Sequence, residues 1–239
     1  MAADDALPQT TVGNHLLAAL PAEEFGRLAP RLARVELEAG QVLYGAEEPV
    51  GHVFFVERAL VSLLSTLADG TAIEVGAVGR EGVCGLWAIL GGGPSPHQAV
   101  AQVGGAALRM RGAEARAAFE ELPHFRARSL RYTHFLLTQI SQTGVCNALH
   151  TVEQRLARWL VIYAGRLEAD QLPLTHEYLA HMLGVRRSGV TVASGALERA
   201  GLIEHRRGRI AILDAAGLRG AACECVRPLS DEFEEFLSG

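Results

Sequence analysis

Residues 174–213, "LTHEYLAHMLGVRRSGVTVASGALERAGLIEHRRGRIAIL", constrain the fold more than any other stretch of this chain. Thr175 offers a side-chain oxygen to cap a helix, and Leu179, Met182 and Leu183 recur at the spacing of one buried helical stripe. Gly184 suits the left-handed residue that ends such a helix. A second helix follows at once, with Val190, Ala193 and Leu197 inward and Arg187, Ser188, Thr191 and Gly195 on its other side. Leu202–His205 and Arg209–Leu213 then read as two strands around a turn in which Gly208 takes positive φ. Helix, glycine turn, helix and β-hairpin make a winged helix-turn-helix, whose second helix lies in the DNA major groove.

The basic residues of this stretch fit that reading. Arg186 and Arg187 stand at the start of the second helix, where a cation opposes the helix dipole at a cost of about 0.3–1 kcal/mol. The N-terminal residues of a recognition helix reach base edges, and a bidentate Arg–guanine contact gives about 1–3 kcal/mol of discrimination. Binding therefore offsets the local penalty. Arg206, Arg207 and Arg209 crowd the tip of the wing, where they can neutralise phosphates and release counterions. An isolated Arg pair is ordinarily a solvated basic face. Two clusters on the two DNA-facing parts of one motif point instead to double-stranded DNA. Thr175, Ser188 and Thr191 complete the candidate contacts.

Charge is distributed accordingly. The chain carries a net charge of -5, yet residues 151–213 hold 9 Arg against 6 Asp+Glu, while 1–150 hold 11 against 15 and 214–239 hold 2 against 6. The basic segment is thus embedded in an acidic protein. Its 22 basic residues are all Arg, the better ligand for phosphate and guanine, although a bias in genome composition accounts for most of that usage. The start, "MAADDALPQTTVG", lacks the basic and apolar regions of a signal peptide, and no apolar run approaches the roughly 18–20 residues of a membrane span. The four cysteines follow no disulfide-framework spacing. A cytoplasmic protein with no membrane contact is expected.

Upstream the pattern changes. A short helix runs from Pro21 to about Pro30, followed by "RVELEAG", "QVLY", "HVFFVE", "ALVSLLSTLADGTAIEVGAV", "HQAVAQV" and "AALRMR", brief β-prone runs split by turn residues. Ala68–Thr71 suits a type I′ hairpin turn, and the run Gly91–Pro96 reads as a loop. Such strands make a sandwich or barrel of about 100 residues. From about Gly112 the chain is helical, and after Pro123 a long helix places Tyr132, Leu136 and Ile140 on one face. That thin apolar seam predicts a dimer contact, with packing against the β domain as the competing reading. A further amphipathic helix carries Leu156, Leu160 and Tyr163.

With these elements in place the sequence resembles the CRP/FNR family of bacterial transcription regulators over nearly its whole length. The matching stretches are "EAGQVLYGAEEPVGHVFFVERALVSLL", "VGREGVCGLW" and "LTHEYLAHMLGVRRSGVT" with "LERAGLI", the last pair being the most specific. The resemblance implies an α+β chain: an N-terminal cyclic-nucleotide-type β-roll of jelly-roll kind, a long dimerisation helix and a C-terminal winged helix-turn-helix. It implies a homodimer on palindromic operators and contact with RNA polymerase. The corresponding ranges are 14–111, 112–147 and 148–222, with an acidic tail at 223–239 that reads as a terminal helix. By position Arg187 matches the family arginine that reads guanine. Ser188 stands where the family usually has Glu, Val192 where it has a second Arg, and Arg186 where a capping Ser or Thr is common, so the operator need not be the family's common half-site. Ala59 replaces a usual Gly.

The effector pocket departs further from the resemblance. The family's Gly-Glu-x-Gly turn, which receives the ribose, reads Gly82-Val83-Cys84-Gly85, and its phosphate-holding Arg-Ser/Thr-Ala reads His97-Gln98-Ala99. The glutamate and the arginine are gone. A buried cyclic phosphate needs a fixed cation or strong donors, and Arg80 precedes Gly82 on a different turn. Neither cyclic AMP nor cyclic GMP is expected to act; the effector is another small molecule or there is none.

Other constellations are weaker. Cys223-x-Cys225 can bind metal or sense redox state, but two thiols do not complete a four-ligand site. Cys146 and His150 lie one helical turn apart, which permits a thiolate–imidazole pair, yet no orienting third group or oxyanion motif accompanies them. No Cys precedes Cys84, unlike the N-terminal cluster of the family's iron–sulfur sensors. No catalytic residue, metal site or cofactor is expected. The alternative function is a ligand-binding or enzymatic β-roll protein whose helical end makes protein contacts.

Overall fold

The structure is a computed structural model; it describes residues 7–68, 70–91 and 93–238, apart from the side chains of 232, 237 and 238. Helices α1 (His15–Ala18) and α2 (Ala22–Leu28) open the chain, with Pro21 as the residue that precedes α2. Eight strands follow: β1 (Ala33–Leu37), β2 (Val42–Tyr44), β3 (His52–Val56), β4 (Leu60–Thr66), β5 (Ala72–Val78), β6 (Val83–Cys84), β7 (Gln98–Val103) and β8 (Gly105–Arg111). They form two four-stranded sheets, in orders β1-β8-β3-β6 and β2-β7-β4-β5. The long pairing runs antiparallel from His52↔Arg111 to Val56↔Ala107. Helix α3 (Leu86–Leu90) interrupts the strands. Neither β6 nor α3 is legible in the sequence, because two residues and one turn give no period to read. The predicted turn at Ala68–Thr71 and the loop at Gly91–Pro96 include Asp69 and Gly92, which lie outside the described residues.

Helices α4 (Gly112–Glu121) and α5 (Pro123–Leu149) succeed the strands. Proline at the first position of α5 sacrifices no hydrogen bond. The next two amides, of His124 and Phe125, are accepted by the Glu24 carboxylate at 3.1 and 2.9 Å. Then come α6 (Val152–Leu167), β9 (Gln171–Leu172), α7 (His176–Leu183), α8 (Arg187–Arg199), β10 (Ile203–Arg206), β11 (Arg209–Ile212), α9 (Ala215–Ala221) and α10 (Val226–Ser238). Strands β10, β11 and β9 form one small sheet.

The chain divides into two compact units, 1–63 with 77–135, and 64–76 with 136–239. In the first, Leu16, Leu17, Leu28, Phe55, Leu108 and Phe125 are fully buried, and the Phe55 and Phe125 rings sit 6.1 Å apart. Tyr132 belongs to this core: a Cβ placed on Gly82 would fall 2.1 Å from its ring, so only glycine admits the tyrosine there. In the second unit Leu156, Trp159, Leu160 and Tyr163 of α6 meet α7, α8 and α9. The hairpin tip 64–76 joins this unit through Glu74, a fully buried carboxylate that accepts from Tyr163 at 2.8 Å and Tyr178 at 3.0 Å. The acidic tail is helical, with Leu229 and Phe236 of α10 buried.

The long helix needs a correction. Tyr132 and Leu136, read above as a partner-facing seam, are 0% and 8% exposed within the single chain. The 3.6-residue period identifies a buried face but not what buries it. The large apolar side chains that α5 leaves to solvent are Leu130 at 51%, Leu137 at 58%, Val145 at 45% and Leu149 at 75%, and Ile140 is half-buried.

Candidate nucleic-acid interface and sensor pocket

Helix α7 starts at Thr175, whose hydroxyl accepts from the Tyr178 amide at 3.2 Å, and ends at Gly184 with φ 61. Val185 and Arg186 separate Gly184 from α8. Val190, Ala193 and Leu197 are buried on it, as the period predicts, while Arg186, Arg187, Ser188 and Thr191 are exposed. Thr191 donates to the Arg187 carbonyl at 3.1 Å. Arg186 occupies the cap position of α8 and makes no side-chain cap, and the first turn holds no acid. The N-terminus of α8 thus presents free amides together with two guanidinium groups.

The wing is a two-residue hairpin. Arg206 pairs with Arg209 across it, and the loop residues Arg207 and Gly208 have φ of 44 and 78. Two successive left-handed residues are the requirement of a type I′ turn. Gly208 meets it freely, whereas Arg207 does so under strain. Arg206 is held 2.9 Å from Glu204 in an exposed pair. Among the described residues no carboxylate pairs with Arg186, Arg187, Arg207 or Arg209. Four cations therefore stand uncommitted at the two edges of one motif.

A polar chain joins α7, α8 and the wing that the sequence did not disclose. Nε2 of His176 lies 2.9 Å from Nε2 of His205, with the rings edge to face. His205 Nδ1 lies 3.0 Å from Glu198, which also accepts from the His205 amide at 2.8 Å. His205 thus donates from Nδ1 to the carboxylate and accepts at Nε2 the proton of His176. Desolvation, then the neighbouring His205 and Arg187, lower the pKa of His176. The two histidines are 29 residues apart, and only the fold brings them into register.

In the first unit the predicted effector residues fall on or beside β6, at the start of α3, and on or beside β7. Val83 and Cys84 form β6, paired with β3, and both are 1% exposed. Gly82 is closed over by Tyr132, as described above, and Gly85 carries φ 95 at the start of α3. Ala99 is fully buried opposite Tyr44 in the β2–β7 pairing, and Gln98 is half-buried. Tyr44 reaches from its own sheet to the other, its hydroxyl accepting from Cys84 Sγ at 3.4 Å. Burial pushes the Cys84 thiol up to about 12, so it stays protonated. His97 Nδ1 is buried with no hydrogen-bond partner, and desolvation lowers its pKa. Desolvation thus favours the neutral imidazole of His97.

Two domain profiles match the chain. The profile of the cyclic nucleotide-binding domain matches residues 34–121, and that of the Crp-like helix-turn-helix domain matches 154–221. No curated protein matches the chain in sequence. Among solved structures, FixK2 from Bradyrhizobium japonicum superposes with TM-score 0.68 at 18% identity, over 80% of this chain and 98% of that one. A CRP-family transcriptional regulator from Thermus thermophilus gives 0.67 at 23%, over 79% and 96%. The c-di-GMP-responsive global regulator CLP from Xanthomonas campestris gives 0.65 at 16%, over 81% and 100%. At these identities the likeness is one of fold. A cyclic-nucleotide-binding-type domain joined to a Crp-like winged helix-turn-helix defines a DNA-binding transcription regulator. The chain belongs to the CRP/FNR family of such regulators.

Proposed function

We propose that this protein is a non-enzymatic cytoplasmic regulator that binds palindromic operators as a homodimer. In this reading Arg187, with Arg186, Ser188 and Thr191, faces the bases, while Thr175, Arg206, Arg207 and Arg209 face phosphates. The observation that carries the reading is the set of uncommitted guanidinium groups at the uncapped start of α8 and on the strained wing turn. The seam of the dimer lies on the exposed face of α5, where Leu130 and Leu137 are one heptad apart. A dimer that reads a palindrome this way sets its two recognition helices about 34 Å apart, one turn of DNA. The sensor domain answers to a small molecule other than a cyclic nucleotide, or to none, and RNA polymerase is the protein partner.

The test is a mobility shift on operator DNA selected from random sequence, run across salt concentrations. A palindromic consensus, a steep loss of affinity with salt and one dimer per site are expected. Selection that yields no consensus would refute the operator reading.

A further inference from the structure

Cys146 lies in the last turn of α5 and His150 directly follows that helix, while Cys223 and Cys225 come from the segment between α9 and α10, all within the second unit. Their ligand atoms all lie within 4.8 Å of one another. Cys146 Sγ is 3.4 Å from Cys223 Sγ, and Cys225 Sγ is 3.7 Å from His150 Nδ1. A tetrahedral zinc ion, with bonds of about 2.3 Å to sulfur and 2.0–2.1 Å to nitrogen, separates two sulfurs by about 3.8 Å and sulfur from nitrogen by about 3.6 Å. The four donors are gathered to the scale of one ion. A polynuclear iron–sulfur cluster spreads its thiolates around several irons and does not match.

The surroundings point the same way. The three cysteines are 0–1% exposed, and the His150 side chain is 13% exposed. His150 Nε2 lies 3.3 Å from the Glu224 carboxylate. A carboxylate on the far nitrogen is the usual device that fixes the tautomer and orientation of a zinc-bound imidazole. It leaves the Nδ1 lone pair facing the sulfurs. Gln142 donates to Cys225 Sγ at 2.8 Å.

Charge supplies an independent argument. Arg158 is 1% exposed, and none of its three guanidinium nitrogens has a hydrogen-bond acceptor among the described residues. It lies over the Trp159 ring at 4.8 Å, and its charge acts on both Cys146 and Cys223. A buried cation without a counter-charge is strongly unfavourable. Three thiolates, one neutral imidazole and a divalent ion sum to one negative charge, which Arg158 balances.

We propose that Cys146, His150, Cys223 and Cys225 bind one zinc ion, a closed structural site that pins the α9–α10 junction to the end of α5. With all four positions filled by protein, the ion is structural rather than catalytic. Binding requires the thiols to deprotonate and releases their protons to solvent.

The full chain, purified under reducing conditions from zinc-supplemented cells, is assayed by elemental analysis and, after exchange, by cobalt(II) spectroscopy. About one zinc per chain is expected, with the visible bands of tetrahedral cobalt and a thiolate-to-metal charge-transfer band. Cys225→Ser and His150→Ala should lose the ion or shift those bands, and a strong chelator should lower the melting temperature of the wild-type protein. The wild-type readouts stand even if a variant fails to fold. Absence of both zinc and a cobalt spectrum in reduced wild-type protein would overturn the proposal. So would a Cys146–Cys223 disulfide in metal-free protein purified without oxygen, or undiminished metal in both variants.

Discussion

Arg207→Asn should move stability and DNA affinity in opposite directions. Arg207 holds φ 44 next to Gly208 at φ 78. A non-glycine residue in the left-handed region costs of order 1 kcal/mol, and Asn tolerates that region far better. Asn-Gly is also the preferred pair for a type I′ hairpin. The variant should therefore gain about 0.5–1 kcal/mol of stability, read as a higher denaturant midpoint at unchanged slope. The same change removes one phosphate-neutralising charge. Each contact contributes about 0.9 to the slope of log K against log salt, so affinity at 0.15 M salt should fall about fivefold per protomer, about thirtyfold for the dimer, on every sequence. The assays are urea unfolding and a salt series on specific and scrambled DNA. Two results would refute the reasoning. A less stable variant would mean that the turn is not strained at Arg207, and an unchanged salt slope would mean that the wing does not touch DNA.

Four further outcomes are expected. Arg187→Ala should cost about 1–3 kcal/mol per half-site and relax preference at one base pair in each, read by selection from random DNA, whereas a uniform loss on all sequences would contradict base contact. Leu137→Glu should give monomers in sedimentation and weaken operator binding without altering the DNA-binding unit; an intact dimer would place the seam elsewhere. Calorimetry with millimolar cyclic AMP or cyclic GMP should show no micromolar site, since Tyr44, Cys84 and His97 offer no cation, and saturable binding that tightens DNA affinity would overturn this. For pH the sign follows from the depressed pKa of His176. The unfolded chain takes the proton first, so stability is level above about pH 6.5 and falls as pH drops toward the folded pKa. His176→Gln should flatten that fall in thermal melts, and an identical pH profile in the variant would remove His176 from the account.

How much was legible follows from range. The α7–α8 motif is local: Thr175, Gly184 and the stripe of Val190, Ala193 and Leu197 are fixed by periodicity and capping within 25 residues, and the structure places each as read. The apolar face of α5 was half legible. Tyr132 and Leu136 do share a face, but which neighbour covers it depends on Gly82, fifty positions away, leaving room for the tyrosine ring. The cysteine cluster was not legible. Cys146 and Cys223 are 77 residues apart, and each pair of donors taken alone is an incomplete ligand set. The His176–His205 pair failed for the same reason, since a lone His on a helix carries no sign of its partner.

The start of α8 shows how the second unit divides its stability between fold and function. Helices α6, α7 and α9 are each capped by a side chain, Thr151, Thr175 and Asp214 respectively. Helix α8 has Arg186 at that position and no cap, with Arg187 next. A missing cap costs about 1 kcal/mol, and cations at the positive end of the dipole add about 0.3–1 kcal/mol. Neighbours obtain the cap with an ordinary Thr or Asp, so nothing in the backbone forbids one here. A phosphate or base edge reverses both penalties at once: it accepts from the free amides, and it converts the unfavourable cations into ligands. On the proposed reading, the local conflict between sequence and helix is resolved in the complex. It falls on the one helix of the motif whose exposed face is also free of carboxylates through its first turn, and this coincidence of three independent features at one site is the strongest reason to read α8 as the helix that meets DNA.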